Sequence, residues 1–433
     1  MRRLKLKGSI GFAVLLLWVG VVAALEPSYE QAPTLYSETE PVTPLTVIRD
    51  RIRNGEDLLS GKSSEEILVK LLKLLEVPVE SQVLVYSKTS AQNSRISPDR
   101  PRAIYFSDNA YVGWVQFGNI EVVTFDEKLG MVFHLLDISS RDTVRFIRDR
   151  SCLNCHGGSS TRNWPGLLVR SVFPRDDGQP IFHAGTFRTD HSSPLSERWG
   201  GWYVTGSAGG QAHLGNIIAE EDTSTRKVSY QPVVVSAVDS LDGIFPTDPY
   251  PAGGVSDIVA LMVLEHQLAV HNSLVEGNLV TRQTLHRHRK MKEAFGEPVT
   301  SPMSETNLRV IQSQADRIVG NLLFAEEHVM AETGVEGSDR FQKAFQANAR
   351  STADHRSLKD FRLYERLFKY RCSYLIYSDA FQHLPGELKS LVMAKLKAVL
   401  DGTAAVEYPH LSDTERERIT DILTETLPAF SDK

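Results

Sequence analysis

Cys152, Cys155 and His156 stand in the spacing Cys-x-x-Cys-His, and those residue types at that spacing define one chemistry. Two thiols three residues apart on a short helical turn add across the two vinyl groups of one porphyrin. The histidine that follows offers its imidazole to the iron as proximal ligand. The implied cofactor is one covalent haem c, attached at Cys152 and Cys155 and ligated by His156. A Cys-rich zinc cluster is excluded, because the remaining cysteine, Cys372, has no Cys or His beside it. A redox dithiol needs the motif to open a helix directly after a buried strand, whereas residues 142–150 read as charged and helix-like. A structural disulfide between the pair stays open as an alternative. The chain holds no second Cys-x-x-Cys-His.

The opposite face of the iron is less clearly supplied. No Met lies between His156 and Met262, and the intervening residues read as strands, so a compact helical cytochrome with a nearby Met ligand is excluded. Met131, upstream in a strand, is a weak candidate. His183 on a returning hairpin strand, His191 just past it, His213 in a glycine-rich loop and His266 on an apolar helix face are the distal candidates. A histidine on such a face is more often a hydrogen-bonded core residue than a ligand. An open sixth position is the alternative. Arg162, Arg170, Arg188 and Arg198 surround the motif in sequence and suit haem propionates. Trp164, Trp199 and Trp202 suit the porphyrin face, although apolar core is the default for each.

Composition bounds the rest. The chain has 433 residues, 41% hydrophobic and 24% charged, with net charge −6, which fits two or three globular domains. No basic field points to nucleic acid and no acidic block to a disordered tail. Arg2, Arg3, Lys5 and Lys7 precede an apolar run over residues 10–25 with small residues at its end. That pattern is a secretory signal peptide over 1–24, or an uncleaved N-terminal membrane anchor. Export and haem c agree, because bacterial c-type haem is attached outside the inner membrane. The expected location is periplasmic or otherwise extracytoplasmic, with redox proteins as partners.

The elements that must position the motif follow in order. Residues 25–81 read as a Pro/Ser/Thr-rich linker and an amphipathic helix beginning near Ser63. Short strands are expected at 83–86, 103–106, 110–117, 120–125 and 131–136. After the motif, strands at 167–173 and 180–187 flank the turn 175–178. Together these make an α+β haem domain over 82–250. A Pro/Gly-rich boundary at 243–254 leads into a mainly helical domain over 251–433. Its first helix is capped by Ser256, with others near 305–332, 358–382, 386–401 and 412–425. Cys372 is expected to be a buried small hydrophobe. The run 286–290 (His-Arg-His-Arg-Lys) is expected to be an exposed helix face, with docking of an acidic partner as the alternative.

The stretches 152–163 (CLNCHGGSSTRN), 185–191 (GTFRTDH), 199–206 (WGGWYVTG) and 372–381 (CSYLIYSDAF) resemble exported bacterial proteins classed as cytochrome c domain-containing. The resemblance covers roughly residues 105–382. It implies haem c on Cys152 and Cys155 with His156 as ligand, and implies nothing about substrate. A haem motif followed by a hairpin is also loosely similar to exported haem sensory domains of PAS type. The expectation is a monohaem c-type cytochrome that transfers single electrons. A haem-based sensor or binding module is the alternative, and a haem oxidoreductase such as a peroxidase stands third.

Overall fold

The computed structural model describes residues 26–61, 63–139, 144–232, 238–298, 300 and 302–431. The expected signal peptide or anchor lies outside the described residues.

Residues 26–43 are docked rather than a free linker. Tyr29 and Tyr36 are buried, and the Tyr36 hydroxyl donates to the Met131 carbonyl at 2.9 Å. Helix α1 (Pro44–Arg53) follows, its first turn closed by reciprocal Thr43 and Thr46 bonds. Helix α2 (Ser64–Leu74) is capped by Ser63 and buries Ile67, Leu68, Leu71 and Leu72, as its periodicity predicts.

Six strands then run β1 (Val83–Val85), β2 (Arg102–Phe106), β3 (Ala110–Trp114), β4 (Ile120–Asp126), β5 (Gly130–Asp137) and β6 (Arg145–Arg148). They pair in sequence order as an antiparallel meander. Side-chain alternation divides the sheet into two faces. Leu84, Tyr86, Ala103, Tyr105, Val112, Trp114 and Val122 pack with α1 and α2. Val83, Val85, Phe106, Tyr111 and Phe133 face the rest of the protein.

Strand β6 corrects the helix-like reading of 142–150 over its described part, residues 144–150. It is a half-exposed edge strand paired with β5, and it delivers the chain directly to the motif. The motif itself is one 3-10 turn followed by helix α3 (Leu153–His156). Strands β7 (Val169–Val172) and β8 (Thr186–Thr189) pair beyond the expected turn, which closes through Arg175, Gly178 and Gln179. A second hairpin, β9 (Ile217–Glu221) and β10 (Val228–Pro232), completes the strand-rich half.

Helix α4 (Ile258–Phe295) spans 38 residues. Its N-cap is Asp257, which accepts from the Ala260 N–H; Ser256, the expected cap, instead bonds the Leu84 N–H and the Tyr203 carbonyl. Among the described residues α4 is the helix long and apolar enough to cross a bilayer, but 89% of that apolar window is buried inside the protein. It is a core helix.

Helices α5 (Glu305–Leu322) and α6 (Asp339–Gln346) come next. The helix expected at 358–382 is a correction: strands β11 (Phe361–Tyr364) and β12 (Arg366–Phe368) form a tight hairpin with Leu363 and Glu365 at positive φ. Helices α7 (Asp379–Gln382), α8 (Gly386–Leu400), α9 (Asp413–Thr426) and α10 (Pro428–Ser431) end the chain. The result is α+β, with a strand-rich N-terminal half and a helical C-terminal half. The core does not divide at 243–254: α4, α5 and α8 share one buried cluster with the sheet and the motif turn.

Candidate functional site

The sheet face opposite α1 and α2 forms one wall of a cavity whose unfilled volume, counted out to its open mouth, is about 1340 Å³. Leu264 and Leu268, one turn apart on α4, form a second wall. Residues 167–170 and Trp202 form a third, and Cys152, Cys155 and His156 close the remaining side. Most of this lining is apolar, with Val85, Ile104, Val123, Phe133 and Leu135 facing in from the strands.

Helix α3 turns its single histidine inward. His156 Nδ1 lies 2.8 Å from the Gly166 carbonyl and donates to it in the tautomer that leaves Nε2 free. Fixing one nitrogen on a backbone carbonyl is how proteins orient a metal-ligating imidazole. The ring packs on Phe133, centroids 4.9 Å apart. Burial pushes the His156 imidazole below its ordinary range, against the bond to Gly166. The docked N-terminal segment braces the turn from behind. A Cβ on Gly157 would lie 2.8 Å from the Tyr29 hydroxyl, so the residue after His156 has no room for a side chain.

The two motif cysteines are free thiols, Cys155 exposed and Cys152 partly buried. Burial, with Asp149 and Glu121 nearby, pushes the Cys152 thiol up to about 12. A redox dithiol needs the opposite, a thiol lowered toward neutrality. Cys372 is fully buried in the core, as expected.

A cofactor fits this donor set. The cavity lining is mostly apolar, both thiols and one oriented imidazole share its wall, and Arg170 and Arg102 would supply cations to an acidic cofactor. Of the other arginines expected near the propionates, Arg162 pairs with Glu276, Arg188 bonds the Ser159 and Ser160 carbonyls, and Arg198 is buried against Glu265. Trp202 lines the cavity, with its indole N–H held by the Arg170 carbonyl, whereas Trp199 and Trp164 pack elsewhere in the core.

The four distal candidates are not in the cavity wall. His266 is fully buried on α4, its Nε2 2.8 Å from Ser373 Oγ and its Nδ1 3.4 Å from His191 Nδ1. Its ring stacks on Phe324 with centroids 3.9 Å apart. His213 Nδ1 accepts from the Gly215 N–H beside Trp199. His183, in a 3-10 turn rather than on a strand, pairs with Glu221 at 3.1 Å. Met131 is buried in the core away from the cavity. His134 contributes to the lining, but it sits in the row Val112–Val122–His134, whose valines pack toward α1 and α2.

Sequence reasoning missed the polar residues of the sheet wall. Arg102 and Glu121 form an ion pair inside the cavity, and Gln92 Nε2 donates to the same carboxylate at 2.8 Å. The available signal was a charged residue at a cavity-facing position of each of two otherwise apolar strands. The run 286–290 lies in the last third of α4; against the expected exposed face His288 is buried, while His286 and Arg289 line a surface groove with Lys128 and Arg282.

Comparison with protein-family models, with curated proteins and with solved structures finds no match to this chain. Fold and site together define an α+β protein with an apolar cavity that carries two free thiols and one oriented imidazole.

Proposed function

We propose that this is an extracytoplasmic monohaem c-type protein, with haem c held by Cys152 and Cys155 and His156 as its iron ligand. The observation that carries the proposal is the His156–Gly166 bond, which frees one imidazole nitrogen in the same cavity wall as both thiols. Bound haem would supply one-electron chemistry and a site for diatomic or anionic ligands. The chain's own residues would exclude water, fix the imidazole and set the polarity of the opposite wall.

Between the two main readings, the side chains favour a binding module or redox enzyme over a six-coordinate electron carrier. Each expected distal histidine is engaged elsewhere, and the polar groups that the sheet brings to the cavity include Arg102 and Glu121 instead. Electron exchange with a partner protein remains compatible with the exposed Cys155 at the cavity rim.

The test is purification of the exported protein made with haem-attachment machinery. It should carry one haem that resists acid–acetone extraction and gives the two-thioether pyridine haemochrome band. Freely extracted haem, or a mass without porphyrin, would refute the proposal.

A further inference from the structure

Residues Ile104, Gly113, Glu121 and Leu135 form one cross-strand row on the cavity face. At Gly113 the row has a gap, and the Arg102 guanidinium occupies it. A Cβ placed on Gly113 would lie 2.7 Å from Arg102 Nη2 and 2.9 Å from Glu121 Oε2. Gly113 carries no positive φ, so the position needs space rather than backbone freedom. Glu121 holds the guanidinium from one side and is itself held by Gln92 Nε2 and Ser90 Oγ. Arg102 Nε is buried with no hydrogen-bond partner. Gly113 is two strands from Phe133, which packs on His156, a separation of roughly 10 Å across the sheet.

The ion pair is partly buried in an apolar wall, where desolvation offsets much of its attraction and a hydrophobic pair of like volume would serve stability about as well. A buried donor without a partner adds to that cost. The pair keeps a partly exposed guanidinium on the wall of an apolar cavity, where a bound ligand can meet it. Arg170 lines the same cavity and can pair haem propionates, so that role does not require Arg102.

We infer that Arg102 receives small anionic or hydrogen-bond-accepting ligands within the cavity, and that Glu121 and Gln92 are positioning residues that hold its guanidinium over Gly113. This rests on the open-sided haem reading above. The ligand class is small inorganic anions and acceptor diatomics, which gain from a charged donor; carbon monoxide gains far less.

The test titrates ferric holoprotein with fluoride and with azide, and ferrous holoprotein with carbon monoxide, all followed by absorption. Arg102→Leu should weaken fluoride and azide by on the order of tenfold or more, as loss of a charge-assisted bond does, and move carbon monoxide less than about threefold. Glu121→Gln removes the opposing charge and should tighten both anions by about threefold. Should Arg102→Leu fail to hold haem, Gly113→Ala decides: it deletes no charge, displaces the guanidinium, and should weaken both anions by about threefold or more. Anion affinities within about twofold of wild type in both Arg102→Leu and Gly113→Ala would overturn the inference. So would a shifted midpoint potential with unchanged anion affinity, the mark of a propionate partner. Equal loss of carbon monoxide and anions, the mark of a collapsed cavity, would overturn it as well. Haem that extracts freely, or wild-type ferrous protein inert to carbon monoxide, fails the parent reading and is seen before any variant is made.

Discussion

His156 and His266 both ride on helices, yet their rings are left with different things to do. His156 spends one nitrogen on a backbone carbonyl and turns the other into a cavity. His266 spends both, on Ser373 and His191, and is clamped flat against Phe324. Its neighbour Glu265 forms a fully buried ion pair with Arg198, which also holds the His191 and Ser193 carbonyls. That region ties the loop after β8 to α4. A ligand histidine needs one fixed nitrogen and one free; a histidine with neither free is part of the scaffold.

Substitution at the two histidines separates the roles most sharply. His156→Ala should abolish the wild-type haem spectrum, and added imidazole should restore a six-coordinate form by entering the vacated space. An unchanged spectrum would show that the ring has no contact with iron. Arg198→Ala leaves Glu265 buried without its partner and should cost about 3–5 kcal/mol in a urea melt. A loss under about 1 kcal/mol would mean the pair is weaker than its burial indicates. His266→Leu should cost about 1–3 kcal/mol through the buried Ser373 and His191 groups left unpaired, with the haem spectrum unmoved. Conversion of that spectrum to high spin would instead make His266 an iron ligand.

Acid sharpens the same contrast. Burial holds the scaffold histidines neutral: it pushes His134 down to about 4 and His271 down to about 3. In the unfolded chain both take up a proton near pH 6.5, so the unfolded state gains protons first as pH falls. The histidines' contribution should therefore decline from about pH 6.5 downward, by at most about 1.4 kcal/mol per unit for each. Burial pushes Glu265 and Glu327 up to about 7, which acts with the opposite sign over the same range. Urea midpoints at pH 7 and pH 5 for wild type and His271→Gln separate the two: the variant should lose less stability, or gain more, on going to pH 5, and an identical change in both would contradict the histidine contribution.

The grouping of Cys152, Cys155 and His156 on one cavity wall was legible because their spacing puts them on a single short turn. The meander was legible because its apolar alternation is broken at 107–109 and 118–119. The position of His266 was not, since α4 is buried on nearly every side and an apolar face on such a helix does not say which wall it joins. Strand β6 was misread because edge strands alternate half-exposed residues, and Arg-Phe-Ile-Arg reads as easily as a charged helix. The β11–β12 hairpin turns on Leu363 and Glu365 at positive φ, without the glycines that mark such turns in sequence. Arg102 and Glu121 meet only through the register of β3 between them, with Gly113 making the room.

In the proposed site, His156 ligates the haem and the other face of the iron is open to small ligands. Reduced holoprotein exposed to carbon monoxide tests this directly through its absorption spectrum. A rapid Soret shift to a carbon monoxide adduct, with no 695 nm Met–iron band in the ferric form, is the expected result. A ferrous spectrum unmoved by carbon monoxide would contradict it: a protein side chain would then hold the far face, and electron transfer would be the better reading.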